Sequence, residues 1–465
     1  LHDYASHLAH QYGTDPECFD PMVRAMLTVD GEPSDIDEAR TFDDWEDWLK
    51  AHQKEWHDLE EHKAFRWDFP PPNAEIVDSR EVFKKKLGKD GGLSKYRVRV
   101  VAKGFMQTEN VSFAETFSPT AQPVSVRLMI AIAVCNGWDL DTADVSTAYL
   151  NAPMDKPVWM RPPRGVKDPL DRGHIMCVLS SLYGLKVSAK NWHRTFTIKI
   201  KAFANHLGGV TLEIVTSDEC MFKFERGGDV LVILIVVDDI LSATNNQSFR
   251  QEFLAFLRQD FIVTDDGKLT FFLGVGYDWL EDGSLVASQT AYIDRFIKRF
   301  KLETTKPSSI PMESNFSVDE SDLDANPDPK HLAWYQAAVG CCMYAMIWTK
   351  PESCYCLNVL TRYMTKPGPR LLKQAKKCML YMKRARALGV RFTRHDGKRH
   401  GINTLSTYVD SSDADCRITR RSTGGFVCFF NSAPASFRSA LQRLATLSSC
   451  ESELVQLSMS LQEVL

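Results

Sequence analysis

The sequence lacks several features that would assign a protein to a familiar class at once. Its 12 cysteines include no Cys-x-x-Cys pair, so no zinc finger is indicated, and we expect reduced thiols of an intracellular protein. It contains no secretory signal and no long uninterrupted apolar span, which argues against secretion and membrane insertion. With 56 basic and 60 acidic residues, it also lacks the overall positive charge typical of many nucleic-acid-binding proteins.

Two further absences narrow the choice. Residues 273–276 resemble a dinucleotide-binding fingerprint, but the third glycine and the following helix are missing. No internal repeat is present, so a solenoid is not indicated. A chain of 465 residues should instead form two to four compact units. Because it starts at Leu1 rather than Met and stops within a predicted helix, we expect it to be a fragment of a longer protein.

The charges are unevenly distributed along the chain. Residues 1–62 are acidic, and the first 40 of them have weak periodicity, which predicts a linker or loose tail. Residues 80–103 and 370–399 are rich in Lys and Arg. The second of these basic stretches belongs to a predicted helix, and a charged helix face is usually only solvated.

The first basic stretch has the pattern of a β-hairpin. Strands predicted at residues 76–87 and 93–101 flank a glycine-rich turn. Lys95, Arg97 and Arg99 alternate with less polar residues, so one face of the second strand should be basic and the other buried. Such a face is either a solvated sheet edge or a surface that contacts phosphates.

The most apolar short segment covers residues 230–237. Its eight residues are nearly all β-branched or Leu, which predicts a strand buried on both faces. Asp238 and Asp239 follow at once. Unpaired anions at the end of a buried strand would cost several kcal/mol each, so we expect a positive partner. The pair is either an Asp-rich hairpin turn or a pair of Mg²⁺ ligands at a hairpin tip.

Periodicity predicts most of the remaining elements. Helices are expected at residues 41–59, 124–136, 180–203, 288–302, 334–348, 357–364, 369–388 and 448–465, and strands at 138–145, 406–410 and 425–430. Asp144, near the end of a predicted strand, is either a helix cap or part of a site. His52, His57 and His62 lie five residues apart and scatter around the first helix, which disfavours a metal site.

Ten short motifs occur in a characteristic order over roughly residues 41–465. They are Arg97-Val-Arg-Val-Val-Ala-Lys-Gly-Phe105, Glu115-Thr-Phe-Ser-Pro119, Asn136-Gly-Trp138, Asp144-Val-Ser-Thr-Ala-Tyr-Leu-Asn151, Ser181-Leu-Tyr-Gly-Leu-Lys186 with Trp192, Val237-Asp-Asp239, Phe272-Leu-Gly274, Tyr408-Val-Asp410, Arg421-Ser-Thr-Gly-Gly425, and Leu447-Ser-Ser449 with Glu453-Leu454. In these motifs the chain resembles the reverse transcriptase region of copia-type retrotransposon Pol polyproteins.

The resemblance implies an α+β right-hand polymerase with fingers, a palm with a ferredoxin-like sheet, and a thumb. A connection and a truncated RNase H-like α/β domain would follow. The implied division is an acidic linker and N-terminal helix over residues 1–62, fingers and palm over 63–285, a thumb-like helix and linker over 286–325, a connection over 326–400 and the partial RNase H-like domain over 401–465.

The same resemblance implies which residues carry the chemistry. Asp144, Asp238 and Asp239 would be catalytic and, with Val145, would hold two Mg²⁺ ions, with Mn²⁺ as an alternative. Two divalent ions about 4 Å apart activate the attacking oxygen and stabilise the leaving group in polymerases. Mg²⁺ takes few protein carboxylates and borrows phosphate oxygens, which suits aspartates at strand ends.

The residues implied to bind the nucleotide lie in the basic hairpin and after Asp144. Arg97, Arg99 and Lys103 would neutralise the triphosphate. Tyr149 stands where the family places an aromatic ring beneath the sugar, and a ring there would exclude a 2′-hydroxyl. The alternative is that Tyr149 is an ordinary core aromatic.

The residues implied to contact template and primer lie in two other motifs. Tyr183, Gly184 and Lys186 match the template-contacting segment, and Leu273 and Gly274 match the primer-gripping segment.

In the RNase H-like part, Asp410 and Glu453 match the first two of four metal-binding carboxylates. Asp413 and Asp415 are expected to be loop residues. The later acidic positions would lie beyond Leu465, so we expect little or no RNA cleavage.

The sequence departs from the family at four positions. Val236 stands in place of Tyr, Val187 in place of Gln, Ala189 in place of Pro and Glu81 in place of Trp. Val187 is the most consequential, because an amide that would touch the incoming nucleotide or template is replaced by an aliphatic side chain.

The sequence thus predicts an RNA-directed DNA polymerase that uses an RNA template, a DNA primer, dNTPs and an RNA–DNA hybrid, with no membrane partner. The location would be intracellular, in a cytoplasmic virus-like particle or the nucleus, and the oligomeric state is not predicted. One alternative is a non-catalytic transposon remnant that keeps the fold and binds primer–template. Another is an unrelated metal-dependent nuclease, which would leave the basic hairpin unexplained.

Overall fold

A computed structural model describes residues 31–88, 92–108, 116–169, 172–394, 403–431 and 433–464. These residues form two compact units. The first unit contains residues 31–121 and 141–268, and the second contains residues 122–140 and 269–464.

Helices and strands alternate irregularly, which confirms the predicted α+β class. Within the described residues the α-helices are α1 (Ile36–Ala39), α2 (Trp45–Glu61), α3 (Pro123–Asn136), α4 (Ser188–Leu207), α5 (Gln247–Leu257), α6 (Thr290–Arg299), α7 (Pro329–Thr349), α8 (Cys354–Thr361), α9 (Pro369–Ala385) and α10 (Ser449–Val464). None of them is both long and apolar enough to cross a membrane.

The strands are β1 (Phe65–Asp68), β2 (Ile76–Val77), β3 (Ser79–Leu87), β4 (Leu93–Ala102), β5 (Asp139–Val145), β6 (Pro153–Met160), β7 (Ile175–Ser180), β8 (Thr211–Ile214), β9 (Met221–Arg226), β10 (Asp229–Val236), β11 (Asp239–Thr244), β12 (Val263–Lys268), β13 (Phe271–Phe272), β14 (Val275–Trp279), β15 (Leu285–Ser288), β16 (Val390–Phe392), β17 (Leu405–Ser411), β18 (Thr423–Phe430) and β19 (Ala433–Leu441).

The first unit is built on a six-stranded sheet in the order β12-β5-β11-β10-β9-β8. The predicted strand at residues 230–237 is β10, at the interior of this sheet. A smaller sheet in the order β1-β7-β6-β2 and the two-stranded hairpin β3-β4 complete the unit's strands among the described residues. The predicted hairpin is therefore confirmed, although residues 89–91 of its turn lie outside the described residues.

An aromatic core holds α4 and α5 against the six-stranded sheet. Phe203 of α4 lies 5.3 Å from Phe224 of β9 and 5.1 Å from Phe253 of α5, measured between ring centroids. All three side chains are fully buried. Burying each aromatic ring contributes about 1.5–3 kcal/mol. These contacts pack α4 and α5 firmly against the sheet that carries the site described below.

Helix α2 packs on the hairpin β3-β4. Trp48 of α2 is fully buried, with its ring centroid 5.6 Å from that of Phe83 and 4.7 Å from that of Tyr96. The basic and buried faces predicted for β4 are present, because Val98 and Val100 are buried whereas Lys95 is exposed and Arg97 and Arg99 are half-buried.

The helix predicted at residues 180–203 is wrong at its start, because α4 begins only at Ser188. Gly184 adopts a φ of +88°, which an α-helix cannot accommodate. The Ser188 hydroxyl donates a hydrogen bond of 2.6 Å to the carbonyl of Leu182, so these residues form a turn that precedes the helix.

The second unit contains α3, α6–α10 and two sheets, in the orders β13-β14-β15-β16 and β17-β18-β19. The predicted helix at residues 124–136 is α3, and Gly137 ends it as expected, with a φ of +70°. The boundaries of the five predicted domains remain predictions.

Candidate active site

The two adjacent aspartates lie at the tip of the β10-β11 hairpin. Val236 pairs with Asp239, so Val237 and Asp238 form a two-residue turn. Two-residue hairpin turns commonly need positive φ angles, and Val237 has a φ of +60°. A β-branched residue is strained in that conformation, at a cost of about 1–3 kcal/mol.

Two hydrogen bonds to the main chain stabilise this strained turn. The indole of Trp192 donates to the carbonyl of Val237 at 2.5 Å. The backbone N–H of Val145 donates to the carbonyl of Asp238 at 2.8 Å. The second bond joins the hairpin tip to the end of β5, which carries Asp144. The structure therefore brings the three predicted catalytic aspartates to the same end of neighbouring strands in the six-stranded sheet.

The carboxyl groups of these aspartates interact electrostatically. Burial, followed by repulsion from Asp238 and Asp144, raises the pKa of Asp239 to about 7. Burial and repulsion from Asp238 also raise the pKa of Asp144. Lys86 and Arg97 oppose both shifts. Lys86 and Arg97 thus offset the negative charge of the cluster only in part, and a bound cation would offset more of it.

The aspartates fit a divalent ion by the chemistry of their oxygen ligands. In the described residues, no three or more His, Cys, Asp or Glu side chains are grouped so that they could hold a metal ion. Mg²⁺ usually takes one or two protein carboxylates together with waters and substrate phosphates, rather than a complete protein cage. We therefore interpret Asp144, Asp238 and Asp239 as a partial coordination site that a phosphate-bearing substrate would complete.

Basic residues of the β3-β4 hairpin face this acidic cluster. The Arg97 guanidinium lies 3.7 Å from a carboxylate oxygen of Asp238 and donates a hydrogen bond of 3.2 Å to the Tyr183 hydroxyl. Lys86 interacts electrostatically with Asp238 and Asp239, and its pKa is lowered by desolvation and by Arg97. Arg97 is thus placed between the hairpin tip and Tyr183.

Sequence reasoning placed Lys95 on this basic face but missed Lys86. Lys86 pairs with Lys95 across the hairpin, and Lys84 pairs with Arg97. Like charges directly opposite each other on a sheet are destabilising unless anions lie nearby. Lys84 pairs with Glu32 and Arg97 lies near Asp238, whereas Lys86 and Lys95 add positive charge opposite the aspartates. The run of lysines at residues 84–86 was a usable signal, but only the strand register shows which of them share a face with Arg97.

Arg99 and Lys103 both have partners within the protein. Arg99 forms an ion pair with Glu55 of α2, and Lys103 lies 3.7 Å from Asp78. Tyr149 packs on Tyr183 with 4.8 Å between ring centroids, and it also contacts the core of the six-stranded sheet. Both interpretations of Tyr149, as a sugar-contacting ring and as a core aromatic, therefore remain predictions.

The turn of Tyr183 and Gly184 is docked on the end of β4. The Ala102 N–H donates to the Tyr183 carbonyl at 2.8 Å. A Cβ atom at Gly184 would lie 2.1 Å from the Ala102 carbonyl oxygen, so only glycine fits. Lys186 follows, and its backbone N–H and ammonium donate to Gln107 at 2.9 and 3.2 Å. Gln107 is a second residue that the motif analysis missed.

The remaining predicted site residues belong to the second unit. Leu273 and Gly274 connect β13 and β14, and the Leu273 carbonyl accepts a hydrogen bond of 2.5 Å from Tyr344. Asp410 lies on β17, and a carboxylate oxygen of Glu453 in α10 accepts from the Ser411 N–H at 3.3 Å. Glu453 thus contacts the main chain next to Asp410, and the role of both acids remains a prediction.

Two smaller predictions concern residues outside this surface. Asp415 accepts a hydrogen bond of 2.7 Å from the Thr423 N–H, as expected of a loop residue. Glu115 lies outside the described residues.

Comparisons with known proteins identify relatives of the chain. A family model described as "Reverse transcriptase (RNA-dependent DNA polymerase)" matches residues 63–314. The Retrovirus-related Pol polyprotein from transposon RE1 of Arabidopsis thaliana is 30% identical over 391 residues, which are 83% of this chain and 25% of that protein. The corresponding polyprotein from transposon TNT 1-94 of Nicotiana tabacum is 27% identical over 436 residues, which are 92% and 32% of the two chains.

The chain spans about a quarter to a third of the length of these relatives. Among solved structures, a foamy viral protease-reverse transcriptase in complex with double-stranded DNA aligns with a TM-score of 0.49 and 14% identity, over 89% of this chain and 60% of that chain. The family assignment does not depend on this structural likeness.

Proposed function

This chain belongs to the reverse transcriptase (RNA-dependent DNA polymerase) family, in its copia-type retrotransposon branch, and on that premise we propose that it extends a DNA primer on an RNA template. One observation carries the proposal. Asp144, Asp238 and Asp239 lie at the same end of neighbouring strands, opposite Arg97. In this proposal the six-stranded sheet is the palm, and the β3-β4 hairpin with α2 belongs to the fingers. The proposal keeps the thumb-like, connection and RNase H-like parts at the ranges expected from the sequence.

The reaction joins the primer 3′-oxygen to the α-phosphorus of a dNTP and releases pyrophosphate. When bound, two divalent ions activate the hydroxyl and stabilise the leaving group. Asp144, Asp238 and Asp239 would hold Mg²⁺, or Mn²⁺, through their carboxylate oxygens. Burial, followed by repulsion from Asp238 and Asp144, disfavours the ionised form of Asp239, so a cation bound beside it would favour ionisation and lower its pKa.

The basic hairpin binds the triphosphate in this proposal. Arg97 is 3.7 Å from Asp238, so a phosphate that replaces this contact would lie next to the carboxylates. Lys86 adds positive charge on the same side. Arg guanidinium groups bind phosphate oxygens through two parallel hydrogen bonds, which also orient the nucleotide. The protein therefore positions the α-phosphate rather than reacting with it.

Primer extension with Asp238→Asn tests the proposal. We expect the parent to extend a DNA primer on an RNA template, and the variant to be at least about a hundredfold slower, because loss of one charged ligand weakens metal binding. Asp229→Asn is the matched control, since Asp229 lies at the opposite end of the same hairpin and accepts from Asn246 at 2.9 Å. An Asp238→Asn variant as active as the parent would refute the assignment.

The alternative is a transposon remnant that only binds primer–template. The same primer-extension experiment distinguishes it from an active polymerase. A parent that incorporates no nucleotide but retards primer–template in a gel would support it. In either case we expect binding to weaken steeply with salt, because contacts with phosphates release counterions. The proposed location remains intracellular, in a virus-like particle or the nucleus.

A further inference from the structure

Glu55 is a buried acid on the face of α2 that packs against β4. Its side chain is 4% exposed, and it lies on the same helix face as the buried Trp48 and Leu59. One carboxylate oxygen accepts a hydrogen bond of 3.0 Å from the Val100 N–H, and the other pairs with Arg99. A buried carboxylate is tolerated only when it is paired in this way. Glu55 therefore holds Arg99 in a defined position on the basic hairpin.

The neighbouring turn of α2 is fixed at the same level of the hairpin. Glu81 of β3 lies opposite Val100 of β4 in the strand register. His52 lies 2.8 Å from Glu81, and the Trp56 indole donates to the same oxygen at 3.0 Å. His52 and Trp56 lie three positions before and one position after Glu55, so one turn of α2 contacts both strands of the hairpin. Glu55 consequently has little freedom to move away from Arg99.

A chain of contacts leads from Glu55 to the acidic cluster. The Arg99 guanidinium lies 5.4 Å from the centroid of the Tyr183 ring. The Tyr183 hydroxyl accepts a hydrogen bond of 3.2 Å from Arg97, and Arg97 lies 3.7 Å from Asp238. Each member of the chain thus borders the next.

We propose that Glu55 is a positioning residue for the polymerase site: it holds Arg99 against the Tyr183 ring, and thereby fixes the hydroxyl that orients Arg97 toward Asp238. The proposal rests on the proposed function and adds a residue that touches neither nucleotide nor primer. Arg99 accordingly acts from within the protein through Tyr183, rather than as a free phosphate ligand.

The test compares Glu55→Gln and Glu55→Asp in steady-state primer extension. Glu55→Gln keeps an acceptor for the Val100 N–H but removes the charge that holds Arg99. We expect it to raise the KM for dNTP by about tenfold and to change kcat by less than about threefold, because Arg97 is misplaced while the carboxylates remain. Glu55→Asp keeps the charge and should restore most of the affinity. Glu55→Gln leaves the largely buried Arg99 without its charged partner and should unfold at a lower temperature than the parent, whereas Glu55→Asp should unfold close to it. The KM values are therefore compared at a temperature at which all variants are folded.

Asp58→Asn is the matched control for α2. Asp58 is also a buried acid of this helix, but its carboxylate pairs with Lys54 of the same helix, at 3.1 Å. Its replacement should leave the KM unchanged. If the KM rises equally in Asp58→Asn, the effect comes from general loosening of α2, and the proposal is wrong.

Tyr183→Phe tests the middle of this series of contacts. It also replaces Glu55→Gln in the test if that variant fails to fold. It removes the hydroxyl but leaves the ion pair of Glu55 and Arg99 intact. We expect the same increase in KM, and the double variant should resemble the more affected single variant instead of multiplying the two effects. An active parent whose KM is unaffected by Glu55→Asp, Glu55→Gln and Tyr183→Phe would overturn the role of Glu55. A parent that incorporates no nucleotide would overturn the proposed function instead.

Discussion

Replacing Asp239 with asparagine should stabilise the protein at pH 8 and have little effect at pH 4. In the folded protein the Asp239 carboxyl keeps its proton up to about pH 7, whereas the ordinary pKa of the group is 3.8. Between these values the folded state binds more protons than the unfolded state. The free energy of unfolding of the parent therefore falls as the pH rises through this window and remains low above it. Asparagine cannot ionise, so the variant avoids this loss.

The size of the effect follows from the shift. A difference of about three pKa units corresponds to an upper limit of roughly 4 kcal/mol. Residual solvent around the partly exposed hairpin tip reduces it, so we expect roughly 2 kcal/mol, or about 4–8 °C in the melting temperature of a unit of this size. Added Mg²⁺ should narrow the gap, because it binds the ionised parent more tightly than the variant.

The assay is thermal unfolding of parent and variant from pH 4 to pH 8, with and without Mg²⁺. Asp265→Asn provides a control of opposite sign. Hydrogen bonds from Arg250, the largest cause, hold the pKa of Asp265 at about 2, so its ionised form stabilises the fold above the ordinary pKa. That variant should lose stability at pH 8, and the loss should fade as the pH falls toward 2. A constant difference between Asp239→Asn and the parent at all pH values would refute the electrostatic argument.

Three further outcomes follow from the same geometry. If Tyr149 has the sugar-contacting role, Tyr149→Ala should admit ribonucleotides in primer extension, whereas Tyr149→Phe should exclude them, because the ring packed on Tyr183 would then block a 2′-hydroxyl; unchanged selectivity in the alanine variant would remove the role. Val187→Gln should raise kcat/KM for dNTP by up to about tenfold if the amide adds one hydrogen bond to nucleotide or template, and equal kinetics would show that the position is neutral. Arg250→Met should destabilise the fold by about 3 kcal/mol in chemical denaturation, since Arg250 is 2% exposed and pairs with Asp265 at 2.6 Å; a loss below about 1 kcal/mol would contradict this account.

Local sequence patterns predicted the elements that carry the three aspartates. The apolar run at residues 230–237 corresponds to β10, and the adjacent acids form the end of the turn and the start of the next strand. These predictions succeeded because a short β-branched strand and a tight turn are specified by neighbouring residues. The predicted start of α4 was wrong because a contact between residues distant in sequence makes the helix begin later. Gly184 is held in a non-helical conformation by its contact with Ala102, which no local pattern reveals.

The residues that support the site were missed because their partners are distant in sequence. Glu55 and Arg99 are 44 residues apart, and Gln107 and Lys186 are 79 apart. A signal for Glu55 was nevertheless present. It occupies the helix face of Trp48 and Leu59, where an acid among apolar residues indicates a buried partner. The identity of that partner depends on the register of β4 beneath the helix, which only the structure gives.

Three features at the hairpin tip and its surroundings work against stability. Val237 is strained, Lys86 opposes Lys95 across the hairpin, and Asp239 is buried beside two other acids. Each cost could be relieved by a single substitution, such as glycine in the turn or asparagine for Asp239. Local rules of this kind are usually broken where function requires it. The three costs together are what the proposed polymerase site would require, whereas primer extension alone separates an active polymerase from a remnant that inherited the same residues.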